Sequence, residues 1–190
     1  MSTIRSLCCA AIASVMVAGA ASAQSGLLSN TATVTINATK QASLTVTINS
    51  GGSQTLASLT DNAINNFATP VNITTAWDIN PSAAAVVLAG YFSAPTQALA
   101  NGTNYITSSL IRARLGVAGG FNPFSGGVVS GGPSTIGVAG GTLQLFSQAI
   151  TGVNRNSSRT DDLYLQIDLT GQTTVPGLYA GTLNLRAITQ

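Results

Sequence analysis

Histidine and glutamate are absent from this chain, and its two cysteines, Cys8 and Cys9, both precede Gln24. Beyond those cysteines the sequence offers no histidine-based triad, no thiol nucleophile and no nitrogen or sulfur ligands for zinc. The five acidic residues are all aspartates. We therefore expect no enzyme, no catalytic residue, no metal site and no cofactor, and a catalytic aspartate pair remains the weakest alternative.

Charge is also scarce, with seven Lys and Arg against five Asp and a formal net charge of +2. So small a net charge does not indicate the strongly basic surface that binds nucleic acid or an anionic membrane. Asp161 and Asp162 are adjacent and lie close to Arg155 and Arg159. The pair could hold a calcium ion or a sugar, but a salt-bridge cluster in a loop is the favoured interpretation, because calcium takes six to eight oxygen ligands.

The N-terminus has the pattern of a secretory signal peptide. Arg5 is followed by an apolar, alanine-rich stretch, and Ala21-Ser22-Ala23 matches a small-x-small cleavage site. The apolar stretch is shorter than the roughly 20 residues of a spanning helix. We expect residues 1–23 to be removed after Ala23, leaving an exported chain without cysteine or membrane span, secreted or passing through the periplasm to the cell surface.

Apolar residues then occupy every second position of residues 31–48, TATVTINATKQASLTVTI, apart from Lys40. Strict alternation with β-branched residues is typical of a strand with one buried face. Because the run is longer than one ordinary strand, it predicts two strands in one phase, hinged near Lys40. The second strand would place Leu44, Val46 and Ile48 in the core, and the first needs a groove in its own chain or in a neighbour.

The remaining chain predicts short strands separated by Gly, Asn and Pro turns, with no sustained helical period. Trp77 falls on the same face of its predicted strand as the neighbouring apolar residues, so we expect it to be buried in the core. Half of the 20 glycines fall within residues 116–141, which predicts a long loop with one short ribbon near Val128–Val129. The fold class is therefore all-β, an immunoglobulin-like β-sandwich over residues 41–190 after an N-terminal extension, residues 24–40. The predicted strands are Gln54–Leu59, Thr69–Asn80, Ala84–Ser93, Ile111–Val117, Thr142–Ile150, Asp162–Leu169 and Leu178–Thr189.

Both ends of this domain resemble those of chaperone–usher pilins, especially the archaic, spore-coat-U-like group. The similarity lies in the alternating segment above and in VPGLYAGTLNLRAITQ at the C-terminus. In that family an N-terminal donor strand precedes the sandwich, and a Gly-Tyr-containing strand closes it. The resemblance implies a donor strand carrying Ala32, Val34, Ile36 and Ala38, and a closing strand carrying Tyr179, Gly181, Leu183 and Leu185. The family's usual disulfide has no counterpart here, since Leu44 stands where a cysteine is expected.

We therefore expect a pilin-like structural subunit that polymerises into a fimbria-like, adhesive surface filament through its N-terminal strand. Its partners would be further copies of the chain and, by the resemblance, a periplasmic chaperone and an outer-membrane usher. The alternative is a monomeric extracellular or periplasmic binding module, for carbohydrate for example. In that case the first strand folds into its own sheet, and the glycine-rich loop carries the site.

Overall fold

The computed structural model describes residues 28–80 and 82–190. Residues 40–190 form one compact unit whose regular structure consists of strands and two single-turn 3₁₀ segments, Pro95–Gln97 and Ser108–Leu110. The prediction of an all-β sandwich is confirmed. The predicted signal peptide lies outside the described residues.

The strands of the described residues, in chain order, are β1 (Ser43–Ser50), β2 (Ile64–Asn66), β3 (Val71–Asp78), β4 (Ala85–Tyr91), β5 (Leu99–Asn101), β6 (Asn104–Ile106), β7 (Ile111–Leu115), β8 (Asn122–Pro123), β9 (Val129–Gly131), β10 (Ser134–Ile136), β11 (Thr142–Ala149), β12 (Asn156–Asp168) and β13 (Asn184–Thr189).

Two antiparallel sheets form the sandwich. The larger has the order β1-β3-β12-β7-β8, with β2 pairing the end of β12, and the smaller has the order β11-β4-β13. Two ribbons, β5–β6 and β9–β10, accompany them. Neighbours in the sheets are mostly distant in sequence, so the sheet order depends on long-range pairing rather than on hairpins.

The core lies between the inner faces of the two sheets. Trp77, on the inner face of β3, is 4% exposed, and its Nε1–H donates to the carbonyl oxygen of Asn154 at 2.7 Å. The rings of Phe92 and Phe124 meet edge to face with centroids 5.2 Å apart. Burial of each such side chain stabilises the fold by about 1.5–3 kcal/mol. The inward residues of β3 are Val71, Ile73, Thr75 and Trp77.

A second, smaller cluster covers the outer face of the three-stranded sheet. Val87 and Ala89 of β4 and Ile188 of β13 pack there against Val129 and Ile136 of the β9–β10 hairpin. This arrangement explains why β4 is apolar on both faces, as expected for a central strand.

Several predicted elements differ from the structure. Residues 31–39 form no strand, because a strand needs a ladder partner and none pairs with them within the described chain. Residues 54–59 are also irregular. The predicted loop at residues 116–141 does contain the short ribbon expected near Val128–Val129, formed by β9 and β10, but it also contains β8, whose two residues are too few to show alternation.

The closing strand is shorter than predicted, since β13 begins only at Asn184. Upstream of it, Ala180 instead pairs with Ala100, with reciprocal backbone hydrogen bonds of 2.9 and 3.0 Å. Conversely, β12 begins at Asn156, within a segment predicted as a loop. Its first half pairs along the whole of β3 although its sequence, NSSRTDD, is polar.

Candidate strand-accepting groove

One side of the sandwich is bordered by two edge strands. β1 pairs only with β3, and β13 pairs only with β4, among the strands that the structure describes. The two edges belong to different sheets and approach each other in space. Both sheets are therefore open on the same side of the molecule.

An apolar groove runs along this side, and we call it the open-side groove. Its centre is a cavity of about 250 Å³ that is lined by Ile48 of β1, by Leu185 of β13 and by inward residues of β3, β7 and β12. A separate cavity, lined by Leu44 and Thr189 among others, lies at the end where β1 begins. At the other end the groove continues between residues 54–59 and residues 177–181. The central lining includes Ile48, Phe67, Val71, Leu165, Leu183 and Leu185.

The backbone of β13 also has unused hydrogen-bonding groups on this side. Gln190 and Ala85 exchange reciprocal backbone hydrogen bonds of 2.9 and 3.2 Å. Because bonded and non-bonded residues alternate in an antiparallel pair, Ile188 and Arg186 bond to β4 as well. The N–H and C=O groups of Leu185 and Ala187 consequently point away from β4, toward the open side.

The predicted closing-strand residues contribute to this groove in different ways. Leu183 and Leu185 are half-buried and pack on the core. Tyr179 also packs on the core, and its hydroxyl donates to the carbonyl oxygen of Val175 at 3.1 Å. A side chain at Gly181 would overlap the carbonyl oxygen of Ala98, so only glycine fits that close approach.

The residues predicted for β1 and the core fall into two groups. Trp77 is buried, and Leu44 and Val46 are half-buried against the core. Ile48, also predicted as core, is 48% exposed. It lies on an edge strand, next to a bulge between Ile48 and Ser50, and it lines the groove instead.

The predicted donor residues are exposed. Val34 and Ile36 expose 84% and 86% of their surface, and Ala32 and Ala38 are exposed as well. Isolated exposed apolar residues are common, but an alternating set of β-branched ones in an unpaired segment is not. This segment therefore has the surface of a strand that lacks a partner.

The aspartates form separate polar contacts rather than one site. Arg159 binds Asp161 through two hydrogen bonds of 2.7 and 2.5 Å, while Asp162 accepts one of 2.6 Å from Asn72. Asp162 lies in a strand, as the predicted strand Asp162–Leu169 requires, and Asp161 belongs to the same strand, β12, instead of to a loop. Consecutive strand residues face opposite ways. No group of three or more potential metal-binding side chains occurs among residues 28–80 and 82–190.

Asp168, at the end of β12, has a carboxyl group whose pKa is lowered in the fold. Hydrogen bonds from the hydroxyl and the backbone N–H of Thr170 lower its pKa, and the Arg112 guanidinium, 2.9 Å away, lowers it further. This arrangement holds a charged carboxylate in place and does not suit a general acid.

Among the described residues no helix is long and apolar enough to cross a membrane. Comparison with known proteins found no matching family model, curated protein or solved structure. The groove, its free edges and the exposed N-terminal segment are therefore the features of the molecule that bear on function.

Proposed function

We propose that this chain is a secreted structural subunit that polymerises into a surface filament by strand donation. Residues 32–38, here called the donor segment, would enter the open-side groove of another copy. There they would pair with the free edge of β13 and bury their alternating side chains between the two sheets. The observation that supports this most strongly is an apolar groove with an unpaired edge in a chain that also carries an exposed, unpaired strand sequence.

The dimensions of the two parts agree. An extended chain from Ala32 to Ala38 spans about 20 Å, as does a six-residue strand such as β13. The donor segment has four apolar positions spaced two residues apart. The groove side of β13 and the residue before it has four positions with the same spacing, Leu183, Leu185, Ala187 and Thr189.

The energetics favour insertion. Burial of Val34 and Ile36 contributes roughly 1.5–3 kcal/mol each, before the smaller alanines are counted. Backbone hydrogen bonds with Leu185 and Ala187 contribute about 1 kcal/mol each. The entropy lost when the donor segment becomes ordered, about 1–2 kcal/mol for each residue, opposes this gain, so insertion needs side-chain burial and backbone pairing together.

The residues that follow the donor segment favour its insertion into a neighbouring copy over pairing with a sheet of its own chain. Lys40 Nζ lies 2.7 Å from Asp78 Oδ2, at the end of β3. β3 adjoins β1 on the side away from the groove. In addition, residues 38–42, ATKQA, contain no Gly, Pro, Asn or Asp to form the tight turn that a hairpin with β1 requires.

The variant Ile36→Asp tests this proposal. Insertion would place an unpaired charge between the sheets at a cost of several kcal/mol, so the variant should remain monomeric where the wild type forms polymers. Light scattering after size exclusion, together with electron microscopy, measures this. Thr35→Asp is the matched control, because the same charge on the polar phase would face solvent and polymers should persist.

A synthetic peptide of residues 29–40 provides the complementary test. It should bind the Ile36→Asp monomer and raise its unfolding temperature, whereas the same peptide carrying Ile36→Asp should not. Filaments formed by the Ile36→Asp protein, or a wild type that stays monomeric and ignores the peptide, would refute strand donation. The second result would favour the monomeric binding module.

A further inference from the structure

The glycine-rich region contains a hairpin that is docked onto β13, the strand that borders the open-side groove. β9 and β10 pair in register, Ser134 with Gly131 and Ile136 with Val129. The two-residue loop is Gly132-Pro133, with Gly132 at φ +57°. Glycine followed by proline suits the II′ turn of a hairpin, so this sequence defines the ribbon locally.

The hairpin contacts β13 by both packing and hydrogen bonding. Ile188 is 7% exposed because Val129 and Ile136 cover it on the outer face of the sheet. The side-chain amide of Gln190, directly after β13, donates to the carbonyl oxygen of Ser130 at 2.9 Å. Gly131 passes so close that a Cβ there would overlap the carbonyl oxygen of Thr189 and the side chain of Ile188.

β13 needs such support because of its position. It has one ladder partner, β4, and its other edge is open. Leu185 of β13 and Leu183 just before it face the groove and are only half-buried. A strand held by one ladder and partial burial opens more readily than a central strand, and opening would remove one wall of the groove.

We infer that the β9–β10 hairpin is a built-in clamp that holds β13 on β4 while the edge of β13 is free. The clamp keeps the groove formed in a subunit that has not yet received a donor strand. A free subunit would then fold without a strand supplied by another protein. That a free subunit with a formed groove is ready to receive a donor strand rests on the proposed function. The clamp itself is a property of the free monomer.

Hydrogen exchange with Gly131→Ala tests the clamp, and each substitution is introduced into the monomeric Ile36→Asp chain, which is wild type in the hairpin and in β13. The added Cβ must displace the hairpin from β13, since it would meet backbone as well as side chain. Exchange by NMR should accelerate at least about tenfold at the amides of Arg186 and Ile188, which bond to β4, while amides of β3 and β12 keep their protection. Gly127→Ala, where an added Cβ has nothing within 4 Å, is the matched control and should behave as the Ile36→Asp parent chain.

Ile136→Ala provides a second route if Gly131→Ala does not fold. It removes the hairpin side chain that covers Ile188 and should produce the same selective acceleration. Unchanged protection of β13 in a folded variant would overturn the inference, and so would an equal loss of protection in every strand. Both variants are measured without peptide, so failure of the clamp is distinct from failure of the wild type to bind the donor peptide.

Discussion

At the scale of single residues, Gly90 shows how tightly the core is filled opposite the groove. A Cβ there would lie 2.9 Å from the Phe124 ring and 3.4 Å from Leu183. Gly90→Ala should therefore destabilise the fold by about 1–3 kcal/mol, although alanine normally suits a strand better than glycine. Urea unfolding measures this. Gly52→Ala is the control, because its Cβ would make an ordinary contact of 3.5 Å with Ile48 and stability should change little.

Asp168 makes a prediction about acid stability. Its pKa is lowered in the fold, chiefly by the Thr170 hydrogen bonds, so its stabilising effect is present above the unfolded pKa of about 3.9 and is lost as pH falls through the native pKa. The wild type should therefore lose stability below about pH 4 more steeply than Asp168→Asn. Chemical unfolding at several pH values tests this, and parallel curves for the two proteins would contradict it.

At the scale of strands, the free edge of β13 allows a paired proline test. The N–H of Ala187 points to the open side, whereas that of Ile188 bonds to β4. Proline is tolerated where an edge N–H faces solvent. Ala187→Pro should leave the monomer folded but weaken binding of the donor peptide about fivefold, since a ladder bond that contributes about 1 kcal/mol is lost. Ile188→Pro should instead destabilise the monomer, and calorimetry with thermal unfolding separates the two effects.

The strands that the sequence predicts have an apolar inner face, whereas the strand segment that it does not predict has a charged one. β3 and β7 alternate because one face of each meets the core. The first half of β12 does not, because its inner face carries Arg159, stacked 4.1 Å from the Phe146 ring, and Asp161 in place of apolar residues. Alternation of apolar and polar residues indicates a strand with one face buried against apolar neighbours. A strand whose inner face carries an ion pair lacks this pattern, so the sequence does not predict it.

The groove could be predicted only in part. Alternation identified both the donor segment and the apolar face of β1, since these are local properties of the sequence. The free edges of β1 and β13 depend on sheet order, which follows from contacts between residues far apart in the chain. The clamp was missed for a similar reason, because Ile136 and Ile188 meet only in the folded domain.

At the scale of the whole molecule, the donor segment and the groove are two different surfaces of one chain. Such a head-to-tail contact produces open chains when its rotation does not close a ring. A chain that can accept a strand but not donate one then terminates growth at one end. Ile36→Asp is that chain, because its sandwich keeps an intact groove.

Small amounts of Ile36→Asp mixed with wild type should therefore shorten filaments in proportion to the amount added. Each variant molecule receives a wild-type donor segment but cannot extend the chain further, because its own segment carries the charge. Filament length measured by electron microscopy tests this, with Thr35→Asp as the control that copolymerises without shortening. If filament length does not change when the variant is added, wild-type donor segments do not enter the groove of the variant. Wild-type protein that forms dimers in place of filaments would instead indicate a closed, symmetric exchange of strands between two subunits.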